Sequence, residues 1–154
     1  MDEQFGFPQN IHQLNDRIWV GVGYDTTNTV LIEGEKGIIV IDSLSSYDSV
    51  KTLLDDFKPI SDKPIKTIIF TKLNPKLVNA TDAFIEYGDG SVEIIVHEDL
   101  LQFYNEIHDA DFEATHTYSS KFSLDISGVK MNLYRVRVSH LIKRILCYLM
   151  MMEF

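Results

Sequence analysis

Two short, unbroken apolar runs constrain the fold of this chain more than any other feature. Gly37 to Asp42 reads GIIVID and Lys66 to Thr71 reads KTIIFT, and neither run alternates with polar residues. Strands of this kind are buried on both faces, as in the centre of a sheet that is covered on both sides. The segment between them predicts a helix, with Ser45 or Ser46 as its cap and apolar residues at helical spacing: Val50, Leu53, Leu54 and Phe57. A strand, a helix and a second buried strand predict a right-handed crossover with parallel pairing.

The pattern before and after this unit predicts a mixed sheet. Two strands, 17–22 and 29–33, precede it and pair through tight turns. Asn74 and Pro75 predict the start of a second helix that ends at Gly88, and a strand at 92–96 then leads into a third helix at 98–108. The remaining strands are predicted at 121–126, 129–138 and 144–151. We expect one α/β (α+β) domain over 1–154, a mixed β-sheet with helices packed on one face.

Charge and composition exclude several partners. The 154 residues carry a formal net charge of −9, which repels a nucleic-acid backbone. The longest apolar run, 145–152, falls far short of the ~20 residues that a membrane helix needs. The first residues, MDEQFGFPQN, lack the pattern of a signal peptide, and Cys147 has no second cysteine to pair with. We expect a cytoplasmic protein that binds neither nucleic acid nor membranes.

A resemblance to a known family rests on the order of four features. Thr27-Asn28 opens a strand, the turn Ile32-Glu33-Gly34-Glu35-Lys36-Gly37 follows, Ile39-Val40-Ile41-Asp42 is the next strand, and a helix and KPIKTIIFTK come after it. In this order and spacing the segment resembles the start of a metallo-β-lactamase-fold hydrolase, of the alkylsulfatase-like branch. The match covers about 18–96. It implies the N-terminal half of an αββα fold, and a zinc-dependent hydrolase as the family's usual activity.

The family's metal-binding motif is replaced in this chain. The motif reads Thr-His-x-His-x-Asp-His, and alignment on Thr71 puts its histidines at Lys72, Asn74 and Leu77 and its aspartate at Lys76. An ammonium group has no lone pair for a metal, and two lysines would also repel a divalent cation. We therefore expect no zinc at this loop and no cofactor, although the family implies zinc.

Two further residues occupy positions that the family uses. His140, after Val138 and Ser139, resembles a later metal ligand, but one histidine does not make a zinc site. Asp42 stands where the family keeps a carboxylate that orients a histidine ligand. We expect Asp42 to accept hydrogen bonds from the backbone or from Lys72, and we take Lys72, Asn74 and Asp42 as candidate ligand-binding residues. No catalytic residue is predicted.

A second group of candidate metal ligands lies in the segment HDADFEATH. Its His108, Asp109, Asp111 and His116 could bind a cation, but metal ligands usually come from rigid elements that converge. A solvated acidic loop is the favoured interpretation. His97 and His12 have no partner that the sequence reveals.

Three functions remain open at this stage. The favoured hypothesis is a catalytically degenerate protein that serves as a structural or interaction module and forms a homodimer through about Leu141 to Phe154. A sheet edge and an apolar face left bare there would otherwise aggregate. The alternatives are a metal-dependent hydrolase with a rebuilt or intersubunit site around His140 and His116, and a binder of a small anion at Lys72 and Lys76. A truncated reading frame would also account for the short chain.

Overall fold

The computed structural model describes residues 8–137 and 146–153, and the side chains of 8–135. These ranges contain ten strands and four helices, and strands alternate with helices between β4 and β7 as the apolar runs predict. The strands are β1 (Asn10–Asn15), β2 (Ile18–Val22), β3 (Thr29–Glu33), β4 (Ile38–Ile41), β5 (Ile65–Phe70), β6 (Gly88–His97), β7 (His116–Tyr118), β8 (Lys121–Ile126), β9 (Val129–Arg137) and β10 (Leu146–Glu153). The helices are α1 (Tyr47–Phe57), α2 (Pro75–Asn79), α3 (Thr81–Glu86) and α4 (Glu98–His108).

Two sheets form a sandwich. The larger sheet has seven strands in the order β1 to β7, and the smaller has three in the order β10-β9-β8. β1 to β4 pair antiparallel, and β4 to β7 pair parallel through crossovers that contain the helices. The predicted α/β class, the mixed sheet and the parallel pairing around the two apolar runs are confirmed.

Two cores explain why those runs do not alternate. Ile38 and Val40 of β4 point into a core shared with the helices, whereas Ile39 and Ile41 point into a core between the two sheets. Each is 0% to 7% exposed, so both faces of β4 are covered. Residues of β5 divide in the same way, with Ile68 in the first core and Ile69 in the second.

The structure differs from the sequence prediction at four elements. The predicted second helix is two short ones, α2 and α3, which meet at Ala80. Strand β6 begins at Gly88, four residues before the predicted position, and β1 and β7 were not predicted. β1 (NIHQLN) is an edge strand and mostly exposed, so it has no apolar face to mark it in the sequence.

The outer face of the smaller sheet is polar between β8 and β9. Three pairs of directly opposed residues lie on it: Lys121–Tyr134, Ser123–Asn132 and Asp125–Lys130. Ser123 Oγ donates to Asn132 Oδ1 at 2.6 Å, and Lys121 Nζ lies 5.4 Å from the centroid of the Tyr134 ring. The outward residues of these two strands are therefore suited to contact with water.

The last strand, β10, forms an edge of the smaller sheet. It pairs antiparallel with β9, from Leu146 opposite Arg137 to Glu153 opposite Lys130. The strand predicted at 144–151 is thus observed two residues later. His140 and the first part of the predicted dimer segment lie outside the described residues. No helix in the described ranges is long and apolar enough to cross a bilayer.

Candidate functional site

Polar residues collect where the parallel strands end. Asp42 follows β4, Thr71 follows β5, His97 is the last residue of β6, and Tyr118 is the last residue of β7. The strand register aligns them, because His97 is opposite Tyr118 and the residue before His97 is opposite the residue before Thr71. Ligands of α/β proteins bind at this edge of the sheet, so it is the natural candidate site.

Asp42 forms hydrogen bonds with the loop that follows β5. It adopts a left-handed backbone with φ of 58°. Its Oδ1 accepts a hydrogen bond from the Thr71 backbone N–H at 2.8 Å, and its Oδ2 accepts one from the Thr71 hydroxyl. Burial raises the pKa of Asp42 above its usual value, and the bonds from Thr71 together with the charge and backbone N–H of Lys72 oppose that rise.

The expected role of Asp42 as a hydrogen-bond acceptor agrees with these contacts, but Thr71 is the main donor. Lys72 is exposed, and its ammonium group forms no ion pair with Asp42 in the described part of the chain. The charge of Lys72 therefore acts on Asp42 through space, without direct contact between the two side-chain groups. Thr71 is the residue that sequence reasoning missed. The sequence signal was its position directly after the strand, three residues before the helix cap.

The four positions of the metal motif have other functions in this structure. Asn74 is the N-cap of α2, and its Oδ1 accepts from the Leu77 N–H at 3.1 Å. Leu77 is 0% exposed and packs in the core beneath the helices. Lys72 and Lys76 are exposed to solvent. A divalent cation needs lone pairs that converge on one point, and this loop offers two ammonium groups, a buried alkyl group and an amide engaged in a helix cap. These residues do not fit the zinc that the fold implies.

Asp25, in the turn after β2, is a buried carboxylate that the sequence did not single out, whereas Asp42 is only partly buried. It is 5% exposed and accepts hydrogen bonds from the backbone and hydroxyl groups of Ser45 and Thr26. Burial works against its charge, but these donors prevail and lower the pKa of Asp25 below its usual value. The two serines before α1 therefore have different roles. Ser45 donates hydrogen bonds to Asp25, and Ser46 is the N-cap of α1. No local signal links residues twenty positions apart.

His97 has partners that the sequence did not reveal. It is fully buried, and its Nδ1 accepts a hydrogen bond from the Asp99 N–H at 3.1 Å at the start of α4. Because Nδ1 accepts, Nε2 carries the proton and donates to the Ser119 carbonyl at 3.0 Å. The ring also stands edge-on to Tyr118, 5.0 Å away. His97 thus ties α4 to the end of β7 as a structural residue.

The segment HDADFEATH does not converge on a point. His108 lies in the last turn of α4, and Asp109 caps that helix with a left-handed backbone. His116 lies on β7, where its Nε2 is 3.7 Å from Glu93 Oε1, and about half of each side chain is exposed. No three His, Cys, Asp or Glu residues in the described ranges are grouped so that they could hold a metal ion. The interpretation as a solvated acidic segment stays a prediction, and His140 lies outside the residues that the structure describes.

Comparison with known proteins places the chain among related folds. No family model matches it. A linear primary-alkylsulfatase from Pseudomonas sp. (strain ATCC 19151) is 38% identical over 74 residues, which are 46% of this chain and 14% of that protein. The chain therefore spans about a seventh of the length of that relative.

Solved structures agree over a longer stretch. The inverting sec-alkylsulfatase Pisa1 from Pseudomonas sp. superimposes with a TM-score of 0.71 at 11% identity, over 82% of this chain and 27% of that one. A metallo-beta-lactamase from Pontibacter korlensis gives a TM-score of 0.64 at 14% identity, over 82% and 60%. Together with the strand order, these similarities show that the chain has the metallo-β-lactamase fold and that 74 of its residues are similar in sequence to an alkylsulfatase.

Proposed function

We propose that this chain is a catalytically degenerate form of the metallo-β-lactamase fold that serves as a structural or interaction module. The observation that carries the proposal is the set of side chains at the four motif positions after Thr71. Lys72, Asn74, Lys76 and Leu77 provide neither the imidazoles nor the carboxylate that a catalytic zinc centre requires. The family's chemistry depends on a metal-activated water, so the loss of these ligands removes its basis.

The contacts of the loop support this proposal. A vestigial metal loop would leave polar groups without partners, whereas here the Asn74 amide closes the first turn of α2 and Leu77 fills the core. The two exposed lysines add positive charge where the cations would lie, and like charges repel strongly at close range. The segment is thus organised around its own packing and hydrogen bonds.

A second copy of the chain is the partner that we propose. β10 is an edge strand of eight residues, and an unpaired edge offers a row of N–H and C=O groups to another strand. Its sequence, LCYLMMME, has one charge, at Glu153, so pairing with a second β10 brings few charges together. The polar outer face of β8 and β9 favours the edge over the face as the contact.

The first experiment measures the zinc content of the purified chain by elemental mass spectrometry, as isolated and after exposure to zinc followed by desalting. We expect far less than one equivalent in both samples, because the loop after β5 supplies no ligand set. His140→Ala is the matched variant. Close to one equivalent of zinc that disappears in His140→Ala would refute the proposal and favour a metal-dependent hydrolase with a rebuilt or intersubunit site.

The second experiment measures the mass of the particle by light scattering at micromolar concentration. Successive N–H groups of a strand point to opposite sides, so one of Leu149→Pro and Met150→Pro removes a donor from the free edge and the other removes one that pairs with β9. We expect a dimer that one of these variants converts to a folded monomer. A monomeric wild-type chain would contradict the proposed partner but not the loss of the metal site.

A further inference from the structure

The backbone of Asp42 is fixed by hydrogen bonds to two neighbouring strands. Asp42 lies in a left-handed conformation that costs a non-glycine residue free energy unless its surroundings enforce it. Its backbone carbonyl accepts from the Thr29 hydroxyl, which reaches across from β3, and its N–H donates to Ile69 O at 2.9 Å. Both ends of the residue are therefore fixed by neighbouring strands.

The side chain of Asp42 connects β4 to the loop that follows β5. Its two oxygens accept the N–H and the hydroxyl of Thr71, so one carboxylate holds one residue by two bonds. Three residues later Asn74 caps α2, and Leu77 seats that helix in the core. The contacts form a continuous series from β3 through Asp42 and Thr71 to α2, and each is made by groups of this chain alone.

We infer that Asp42 is a positioning residue that holds the loop after β5 in place without any metal, through its two bonds to Thr71. In a zinc site a carboxylate at this position would orient a ligand; in this chain it orients the loop itself. The inference extends the proposed function, on which it rests only in taking the loop to be metal-free. It also explains why the loss of ligands leaves an ordered loop: the order comes from Asp42, the Asn74 cap and Leu77.

A double-mutant cycle in the presence of EDTA tests the inference. Asp42→Gly removes the carboxylate while glycine still adopts the left-handed backbone, and Thr71→Val removes the hydroxyl at nearly constant volume. We expect Asp42→Gly to lower the melting temperature by about 4 to 8 °C, since it leaves the Thr71 N–H without its acceptor. The double variant should lose clearly less than the sum of the two single losses.

Two matched variants make the cycle specific. Asp42→Asn keeps an acceptor for the Thr71 N–H, and we expect it to lose less than half as much as Asp42→Gly. Thr67→Val changes a buried threonine on β5, the strand that precedes Thr71. Among the described residues Thr67 forms no hydrogen bond with Asp42, so its loss should add to that of Asp42→Gly. Hydrogen exchange of the Thr71 amide gives a second readout: its protection should fall in Asp42→Gly, whereas that of Ile69 stays near the wild-type value.

Additive losses for Asp42→Gly and Thr71→Val, with unchanged protection of the Thr71 amide, would overturn the inference. A stability loss that appears only when zinc is present would overturn it too, because Asp42 would then serve a metal ligand. The outcome is separable from that of the proposed function. If the losses of Asp42→Gly and Thr71→Val are non-additive in EDTA but the chain binds zinc at another site, the proposed metal-free function is refuted and the inferred role of Asp42 stands. If Asp42→Gly does not fold, Asp42→Asn combined with Thr71→Val completes the cycle, and additivity there counts against the inference.

Discussion

Replacing Leu77 by histidine tests most directly whether the loop after β5 can still be a metal site. The substitution puts back the residue that the family motif has at this position. In this structure the Leu77 side chain is 0% exposed and packs among apolar residues, including Phe70 and Phe84. The new imidazole would therefore enter the core unless the helix moved.

The size of the effect follows from that burial. Truncation of a buried leucine costs about 2 to 5 kcal/mol, and histidine recovers part of the volume but brings ring nitrogens that lack partners in an apolar core. An unsatisfied buried polar group costs about 1 to 3 kcal/mol. We expect Leu77→His to lower the free energy of unfolding by about 3 kcal/mol, a fall of roughly 6 to 12 °C in melting temperature for a chain of this length.

The assay is urea unfolding followed by circular dichroism, with and without zinc. Leu77→Met is the matched control, because a volume-conserving apolar exchange costs less than about 1.5 kcal/mol. Zinc should leave the unfolding free energy of Leu77→His unchanged, since one histidine beside two lysines does not form a site.

Two results would refute this reasoning. If Leu77→His were as stable as Leu77→Met, the position would not be part of the core as the structure shows it. If zinc raised the stability of Leu77→His by about 1.4 kcal/mol or more, which corresponds to tenfold in an equilibrium constant, the loop could still direct a ligand toward a metal.

Three further predictions concern the N-cap of α2, the contact between the two sheets and the dependence of stability on acidic pH. Asn74→Ala should cost about 0.5 to 2 kcal/mol through loss of the helix cap, measured by urea unfolding, whereas Asn79→Ala at the exposed end of α2 should cost little. Gly34→Ala should destabilise the contact between the sheets, since its Cβ would lie 2.5 Å from Ser127 Cβ; thermal unfolding against wild type measures the loss. Because the pKa of Asp25 is lowered in the folded state, its charged form stabilises the fold fully above about pH 4, and this stabilisation is lost as the pH falls through the lowered pKa. Asp25→Asn should therefore make the free energy of unfolding depend less on pH in this range.

The central part of the fold was predictable because its signal is local. Ile38 to Ile41 are apolar without interruption, and the structure supplies the reason: alternate residues enter two different cores. The start of α2 was predictable for the same reason, since Asn74 and Pro75 specify a cap and a first turn by their own chemistry. Strand β1 carries no such signal, because it is a polar edge strand that depends on pairing with β2.

The contacts of the candidate site were harder to predict than the elements that carry them. Asp42 and Thr71 are 29 positions apart, and Asp25 and Ser45 are 20 apart, so only the folded sheet brings them together. His97 looked unpartnered because its acceptor, the Ser119 carbonyl, is a backbone group that no sequence pattern marks. Sequence reasoning selected Asp42, Lys72 and Asn74 as candidates, and the tertiary structure determined which polar groups form hydrogen bonds.

Two carboxylates at this edge, the buried Asp25 and the partly buried Asp42, differ in how far hydrogen bonds and nearby charge offset the effect of burial. The bonds from Ser45 and Thr26 outweigh burial for Asp25, whereas burial outweighs the bonds from Thr71 and the charge of Lys72 for Asp42. An acid with a raised pKa favours the folded state when protonated, so its contribution declines as the pH rises through that pKa, opposite to Asp25. A divalent cation beside Asp42 would have lowered its pKa by opposite charge. The raised pKa of Asp42 therefore reflects burial that the bonds from Thr71 and the charge of the exposed Lys72 offset only in part.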